Sequence, residues 1–458
     1  MKFDLPTAFL SRMRRLLPAE DYARFCKSYD APLRRGVRAN TLKISPEKLQ
    51  TVFSLPLENS VFTADGFYLD APHKAGADPL FHAGAYYMQE PSAGAVVGVL
   101  APRSGERVLD MCAAPGGKST QIAAALQGTG LLWSNEYVKS RARILEQNLE
   151  RCGVKNGVVS SADSAVLAEK LSCFFDAVLV DAPCSGEGMF RKEPAALTDW
   201  SEDTVSMCAA RQREILDNAA KTVKAGGRLV YSTCTFAPEE NECIAAWFLQ
   251  THPDFVPLKI EVSFGQSGWD ADTVTPFAAG VDFARFDPAA CRRILPYHGG
   301  EGHFIAAFYK TDGADAPVSA YHYTPFAAGE TLYTQLFCND VYGVPMLIGE
   351  TVRLLPQGLP ALQGCGVLGA GVRLAEQKKN RLEPCHAAFV AAHGTHCRQV
   401  ANFAADSAEI RRFLHGEELP FEGENGHTAV VVEGLVCGFG KCVNGKIKNH
   451  YPKGLRLL

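Results

Sequence analysis

The stretch Arg107-Val108-Leu109-Asp110-Met111-Cys112-Ala113-Ala114-Pro115-Gly116-Gly117-Lys118-Ser119 decides the fold. Its first residues read as an apolar strand, its middle as a loop of small residues, and residues 119–126 as the helix that follows. Small side chains let a backbone approach a ligand closely, and the first turn of a helix carries amides with no acceptor inside the helix. The loop is not a phosphate cradle of the Gly-x4-Gly-Lys kind, because that spacing is absent.

Outward from this loop the order strand, loop, helix repeats. Residues 131–136, 157–162, 177–181 and 227–232 read as further strands with helices between them. Such alternation predicts an α/β fold with a doubly wound, mostly parallel sheet over residues 103–310. Residues 291–295 and 303–309, either side of Gly299-Gly300-Glu301-Gly302, predict a closing hairpin. Before the sheet, residues 7–17 read as an amphipathic helix and 36–44 as a strand. Arg34, Arg35 and Arg38 form a basic segment suited to phosphates. After the sheet, short strands are expected at 341–344, 351–355, 371–375, 428–434 and 435–440.

Asp110, Glu136, Asp163 and Asp181 each end a predicted strand. Ligands of open α/β sheets bind along that edge. Glu136 lies about 20 residues beyond the loop, the usual place for a carboxylate that accepts from a ribose diol. Asp163 suits an adenine amino group, or else a helix N-cap. A nucleoside-bearing cofactor without a phosphate cradle points to S-adenosylmethionine.

Asp181-Ala182-Pro183-Cys184-Ser185-Gly186 and Tyr231-Ser232-Thr233-Cys234-Thr235 each put a cysteine just after an apolar strand, so both thiols are expected to face one cleft. Carbon 5 of a pyrimidine is too weak a nucleophile to take a methyl group unaided. A thiolate that adds to carbon 6 turns carbon 5 into an enamine-like nucleophile, and an acid such as a protonated Asp181 offsets the charge that develops on the ring.

The 458 residues allow two to four domains, and 47% apolar with 21% charged residues excludes disorder for most of the chain. Net charge is −4, from 46 Lys and Arg against 50 Asp and Glu, so any basic surface must be local. The 15 cysteines are spread through apolar runs such as Leu171-Ser172-Cys173-Phe174-Phe175. With no signal-peptide pattern and no membrane-length apolar run, a cytoplasmic protein with reduced thiols is expected. Cys385, His386, His393, His396 and Cys397 match no standard zinc spacing, and no metal is expected.

Residues 111–118, 181–186 and 232–235, with Arg38-Ala39-Asn40-Thr41-Leu42-Lys43 and Met88-Gln89-Glu90-Pro91-Ser92-Ala93, resemble the motifs of the Sun-type RNA (cytosine-5)-methyltransferases. The resemblance covers residues 1–310. Gln377-Lys378-Lys379-Asn380-Arg381-Leu382-Glu383-Pro384 and Asn449-His450-Tyr451-Pro452-Lys453-Gly454-Leu455-Arg456 extend it to the bacterial RsmF-type enzymes, which act on 16S ribosomal RNA and carry a PUA-like RNA-binding tail. It implies a class I, Rossmann-like methyltransferase domain. Cys112, Ala113, Ala114, Pro115, Gly116, Gly117, Lys118, Glu136, Asp163 and Asp181 would bind S-adenosyl-L-methionine. Cys234 would be the nucleophile, Cys184 would help release the product, and Asp181 would be the acid; the residue pattern alone does not choose between the thiols. The implied partner is RNA, as 16S ribosomal RNA or the small ribosomal subunit, with no DNA and no membrane. The same chemistry on tRNA, or a non-catalytic ribosome-assembly factor, are the alternatives.

The expected organisation is an N-terminal α/β RNA-binding unit (1–100), the methyltransferase domain (101–310), a linker (311–325), a C-terminal RNA-binding unit (326–389) and a PUA-like unit (390–458). Lys378, Lys379, Arg381, Lys441, Lys446, Lys448 and Lys453 are expected to meet phosphates.

Overall fold

The structure is a computed structural model that describes residues 4–313 and 318–457. At its centre lie β1 (Arg107–Asp110), β2 (Leu131–Asn135), β3 (Gly157–Ser160), β4 (Phe175–Asp181), β5 (Val223–Thr233), β6 (Cys291–Ile294), β7 (His303–Lys310) and β8 (Val367–Ala370). Their spatial order is β6-β7-β5-β4-β1-β2-β3-β8, and Gln266–Ser267 and Phe255–Pro257 complete the sheet at its β6 and β7 side. Strands β5, β4, β1, β2 and β3 run parallel, while β7 is antiparallel to β5 and β6 to β7. The five parallel strands are apolar on both faces because helices cover both: Val108, Leu109, Leu132, Trp133, Val178, Leu179 and Val180 are all fully buried. Helix α1 (Gly117–Leu126) follows β1, and α2 (Lys139–Arg151) follows β2 and buries Ala142, Leu145 and Leu149 at helical spacing. Strand order reverses at β1, whose neighbours are β2 and β4, so the binding crevice of such a sheet opens at the C-terminal ends of β1 and β4.

The two ends of the chain pack against one another. In the N-terminal unit, Glu58–Asn59, Gly66–Leu69, Arg35–Ala39 and Tyr86–Met88 form an antiparallel sheet in that order. Its core residues Val37, Phe67 and Tyr86 belong to the same cluster as Ile410, Phe413, Val430 and Tyr451 of the last unit. His82 Nδ1 and Tyr451 Oη lie 2.7 Å apart across that junction. The last unit is a five-stranded sheet of Val400–Phe403, Gly426–Val432, Leu435–Val443, Lys446–Asn449 and Leu419–Pro420.

Several boundaries differ from the sequence reading. The first strand ends at Ala39 instead of residue 44, because the Asn40 amide turns inward and donates to Gly84 O and Cys152 O, both at 2.8 Å. The strand expected at 341–344 is Val344–Ile348; Gly343, at φ +74°, breaks the extended path before it. The expected linker falls partly outside the described residues, at 314–317, and its remainder is tied down: Ala320 bridges Pro360, and Tyr321 and Tyr323 pack against the central core. Residues 367–370, expected in a separate unit, are β8, which pairs with β3 and covers what would otherwise be an open sheet edge.

Arg38 corrects a further expectation. It is buried rather than turned to solvent, and its guanidinium donates to Gln89 Oε1 (2.7 Å), Gly117 O (3.1 Å) and Thr120 Oγ1 (2.7 Å). It therefore rivets the N-terminal sheet to the first turn of α1, with its guanidinium engaged inside the protein. Arg34 also has protein partners, with Glu58 at 2.6 Å and the Tyr68 ring beneath it; only Arg35 is left exposed. Arg38→Ala should lower stability by about 2–4 kcal/mol, the loss of three hydrogen bonds from a buried cation. The urea midpoint measures this. A variant of unchanged midpoint whose RNA affinity depends less steeply on salt would return Arg38 to the phosphate contacts.

Candidate active site

The loop after β1 is held from beneath. Ala113 N donates to Asn135 O at 2.8 Å, Arg141 donates to Ala114 O at 3.1 Å, and Asn148 to Pro115 O at 2.9 Å. Gly116 sits at φ +113°, a conformation costly for any residue with a Cβ, and a Cβ there would stand 3.1 Å from Leu145. The first turn of α1 leaves backbone amides with no acceptor inside the helix. Small residues, an acid at the end of β2 and free amides fit a nucleoside-bearing cofactor.

The four carboxylates at strand ends have four different environments. Asp110 is fully buried and accepts from Ser119 Oγ at 2.7 Å; burial pushes it up to about 7, and its work is to hold α1 on β1. Glu136 is nearly buried, accepts from Val138 N at 2.9 Å and lies 3.4 Å from Arg141 Nη1. Asp163 is exposed and caps the helix Ser164–Lys170 by accepting from Ala165 N at 2.9 Å. Asp181 ends β4 in the crevice, where Lys118 Nζ (2.8 Å) and Ser232 Oγ (2.7 Å) each donate to one of its oxygens. Burial raises its proton affinity, but the Lys118 ammonium and these hydrogen bonds outweigh burial and hold the carboxyl below its usual range. Asp181 is thus ionised, not the protonated acid expected from sequence, and the hydrogen-bond donor beside it is the Lys118 ammonium, which the pair holds charged.

The two thiols meet. Cys184 Sγ and Cys234 Sγ lie 3.3 Å apart as free cysteines, both half-buried, and Cys234 N approaches Cys184 Sγ at 3.4 Å. The hydrogen bond with Cys234 and then burial push the Cys184 thiol well above its ordinary value. The buried Glu240 keeps the two loops in register. It accepts from Ser185 N at 3.0 Å, from Ser185 Oγ and from Gln212 Nε2 at 2.8 Å, and Ser185 Oγ reaches Thr235 Oγ1 at 2.8 Å. Burial pushes Glu240 up to about 8. Cys112, by contrast, is held protonated by burial and lies outside this pair.

Gln212 and His303 escaped the sequence reading because they act from a distant helix and strand, and Glu240, in the short turn Pro238–Glu240 soon after Cys234, because no motif marks it. His303, on β7, is buried with Nδ1 3.1 Å from Ser92 Oγ and 3.6 Å from Glu90 Oε2. Burial lowers it to about 4, so the imidazole is neutral. The signal for it was present in residues 88–93, which carried a resemblance but no role.

The tail's cations divide into two sets. Lys378 pairs with Glu376 at 2.6 Å, and Arg381 with Glu383, so the hairpin they share is largely self-neutralised. Lys441 and Lys448 stand directly opposite one another on neighbouring strands, with His427 opposite Lys441 on the other side. Like charges face to face cost stability, and no carboxylate pairs with either lysine among the described residues.

A parallel sheet with its reversal at β1, the β7–β6 hairpin, a small-residue loop and an acid at the end of β2 define an S-adenosylmethionine-dependent methyltransferase. Comparison with known proteins narrows the class. Residues 97–309 match the model of the 16S rRNA methyltransferase RsmB/F family, 5–91 the N-terminal domain of 16S rRNA methyltransferase RsmF, and 400–457 the methyltransferase RsmF PUA domain. The ribosomal RNA small subunit methyltransferase F of Vibrio vulnificus is 30% identical over 98% of this chain and 97% of its own, and that of Escherichia fergusonii 31% identical over 98% and 96%. A methyltransferase homolog protein from Pyrococcus horikoshii superimposes with a TM-score of 0.56 at 29% identity, covering 67% of this chain and 100% of that one. The chain belongs to the ribosomal RNA small subunit methyltransferase F family.

Glu136→Ala should weaken S-adenosylmethionine binding by about 1.5–3 kcal/mol, the worth of hydrogen bonds to a charged acceptor. Titration calorimetry checks it, and unchanged affinity would remove Glu136 from the cofactor site.

Proposed function

We propose that this protein methylates carbon 5 of cytosine in 16S ribosomal RNA through a covalent bond between Cys234 and carbon 6 of the base. The observation that carries the reading is the pair of thiols 3.3 Å apart in the same crevice as the Lys118–Asp181 ion pair. S-adenosylmethionine, bound by residues 112–118, Glu136 and Asp163, supplies the methyl group as an electrophile. The ion pair complements the polar edge of cytosine: the Asp181 carboxylate accepts from the exocyclic amine, and the Lys118 ammonium donates to the ring acceptors. As Cys234 sulfur bonds to carbon 6, negative charge moves onto those acceptors, and Lys118 meets it in a site of low dielectric. Attack uses the Cys234 thiolate, its own proton having left to solvent, and the Cys184 thiol, which keeps its proton, donates a hydrogen bond to that sulfur. In the release step the proton leaves carbon 5 and the bond from Cys234 to carbon 6 breaks; Cys184 takes that proton once it has given its own to solvent, and its high proton affinity then favours the transfer.

Two substitutions separate these roles. Cys234→Ser should abolish methyl transfer and covalent capture of RNA, since a hydroxyl is a poor nucleophile at neutral pH. Cys184→Ser should still attack but release slowly, so a protein–RNA adduct accumulates on a denaturing gel. Accumulation in Cys234→Ser instead would exchange the two assignments.

We further infer that RNA docks on the row formed by His427, Lys441 and Lys448. Replacing both lysines by Ala should flatten the slope of log affinity against log salt by about 1.4–1.8, roughly 0.7–0.9 per phosphate contact. Replacing Lys378 and Arg381, already paired with glutamates, should change it less. Equal effects at the two places would remove the distinction.

A further inference from the structure

Behind the catalytic crevice, a cavity of about 310 Å³ opens where the N-terminal unit, the central sheet and the C-terminal units meet. Gln127 and Gly128 bring the end of α1 to it, and Gly153 and Lys155 bring the segment before β3. It therefore lies at the edge of the sheet opposite the thiols. The ten residues of α1 alone separate it from Lys118 by about 15 Å.

The polar groups around this cavity are one-sided. No Asp or Glu lines it. Lys43 Nζ donates to Ala83 O at 2.8 Å and Arg151 O at 3.3 Å, which leaves one of its three protons. Lys155 Nζ rests 4.4 Å from the centre of the Tyr342 ring. The Tyr342 hydroxyl is buried without a hydrogen-bond partner. Nδ1 of His393 accepts from Thr395 N at 3.3 Å, so the neutral ring carries its proton on Nε2. Lys43, Lys155, Tyr342 and His393 thus line the cavity with no acid among the described residues of its wall. Burial depresses both lysines, Lys43 to about 7, as expected of cations that lack a counter-charge.

We propose that this cavity is a second binding site, distinct from the catalytic crevice, for the phosphate of a nucleotide. Its volume is at the lower end of ordinary ligand pockets and admits a nucleotide-sized group. Phosphate oxygens accept only, which matches a lining of donors, and a compact ammonium such as that of Lys155 suits a phosphate as a point charge. The phosphate can come from the RNA backbone or from a free nucleotide, and the two sources give different results below.

The test uses the full chain in the presence of S-adenosylmethionine. Cytidine 5′-monophosphate and inorganic phosphate are titrated by calorimetry, and RNA binding is followed across a salt series. Lys155→Met should weaken cytidine 5′-monophosphate by about tenfold or more, and Lys155→Arg should largely restore it. Tyr342→Phe, which removes only the hydroxyl, should weaken it by a smaller factor and serves if Lys155→Met fails to fold. Unchanged S-adenosylmethionine affinity and methyl transfer to a short RNA show that the catalytic crevice is intact, so this result stands apart from the proposed chemistry. If Lys155→Met also flattens the RNA salt slope by roughly 0.7–0.9, the phosphate is one of the RNA backbone. If the mononucleotide is lost with no change of slope, the site takes a free nucleotide. Phosphate probes that fail to bind the wild type, with an unchanged slope, or that bind Lys155→Met equally well, would overturn the proposal.

Discussion

At the point where strand order reverses, the Asp181 carboxylate takes a donor on each oxygen, Lys118 from the first turn of α1 and Ser232 from the end of β5. Three elements that arrive from different directions are thereby fixed on one side chain. The small-residue loop must end where Lys118 can reach, and β4 and β5 must end level with one another. Cys184 and Cys234 each lie within three residues of Asp181 or Ser232, so the same constraint that aligns the strands brings the sulfurs together. A neutral residue at 181 would leave a nearly buried ammonium at 118 with nothing to offset its desolvation.

The crevice is supported from outside the central sheet as well. Arg38 ties the N-terminal sheet to the first turn of α1, and Glu90 and Ser92 meet His303 on β7. The N-terminal sheet shares its core with the last unit, so the surface proposed to dock RNA is mechanically continuous with the loop proposed to hold the cofactor.

How much was legible in the sequence follows from which interactions are local. The parallel strands, the loop and the acids at strand ends announce themselves in windows of a few residues, because the hydrophobic period and the turn chemistry act over that range. The thiols were expected in one cleft for the same reason: each follows an apolar strand. What a window cannot show is a partner far along the chain. Arg38 reads as one of three surface arginines until Gly117 and Thr120 are found against it. Lys378 and Arg381 differ: their partners Glu376 and Glu383 are only two positions away, on the same strands, and were within reach of a local reading. The protonation of Asp181 depends on Lys118, 63 positions away. Charge, more than fold, was misjudged, since a residue's charge is settled by whatever lies within a few ångströms.

The thiol pair sets a further requirement on its surroundings. Two sulfurs at 3.3 Å can share a hydrogen bond only if the loops bearing them stay in register, yet both loops follow strands and neither contains a regular element at that point. Glu240 supplies the register, since one carboxylate holds Ser185 next to Cys184 and Gln212 holds Pro183 on the other side. Ser185 in turn reaches Thr235, next to Cys234. A buried carboxyl is a costly clamp, since burial lifts Glu240 to about 8 and keeps most of it protonated at neutral pH, whereas an apolar residue would pack there with no polar group to desolvate. Apolar packing, however, is non-directional and would fix neither loop by its backbone amides. The carboxylate spends stability to fix direction, and direction is what separates a sulfur aimed at a base from one that is merely close to it.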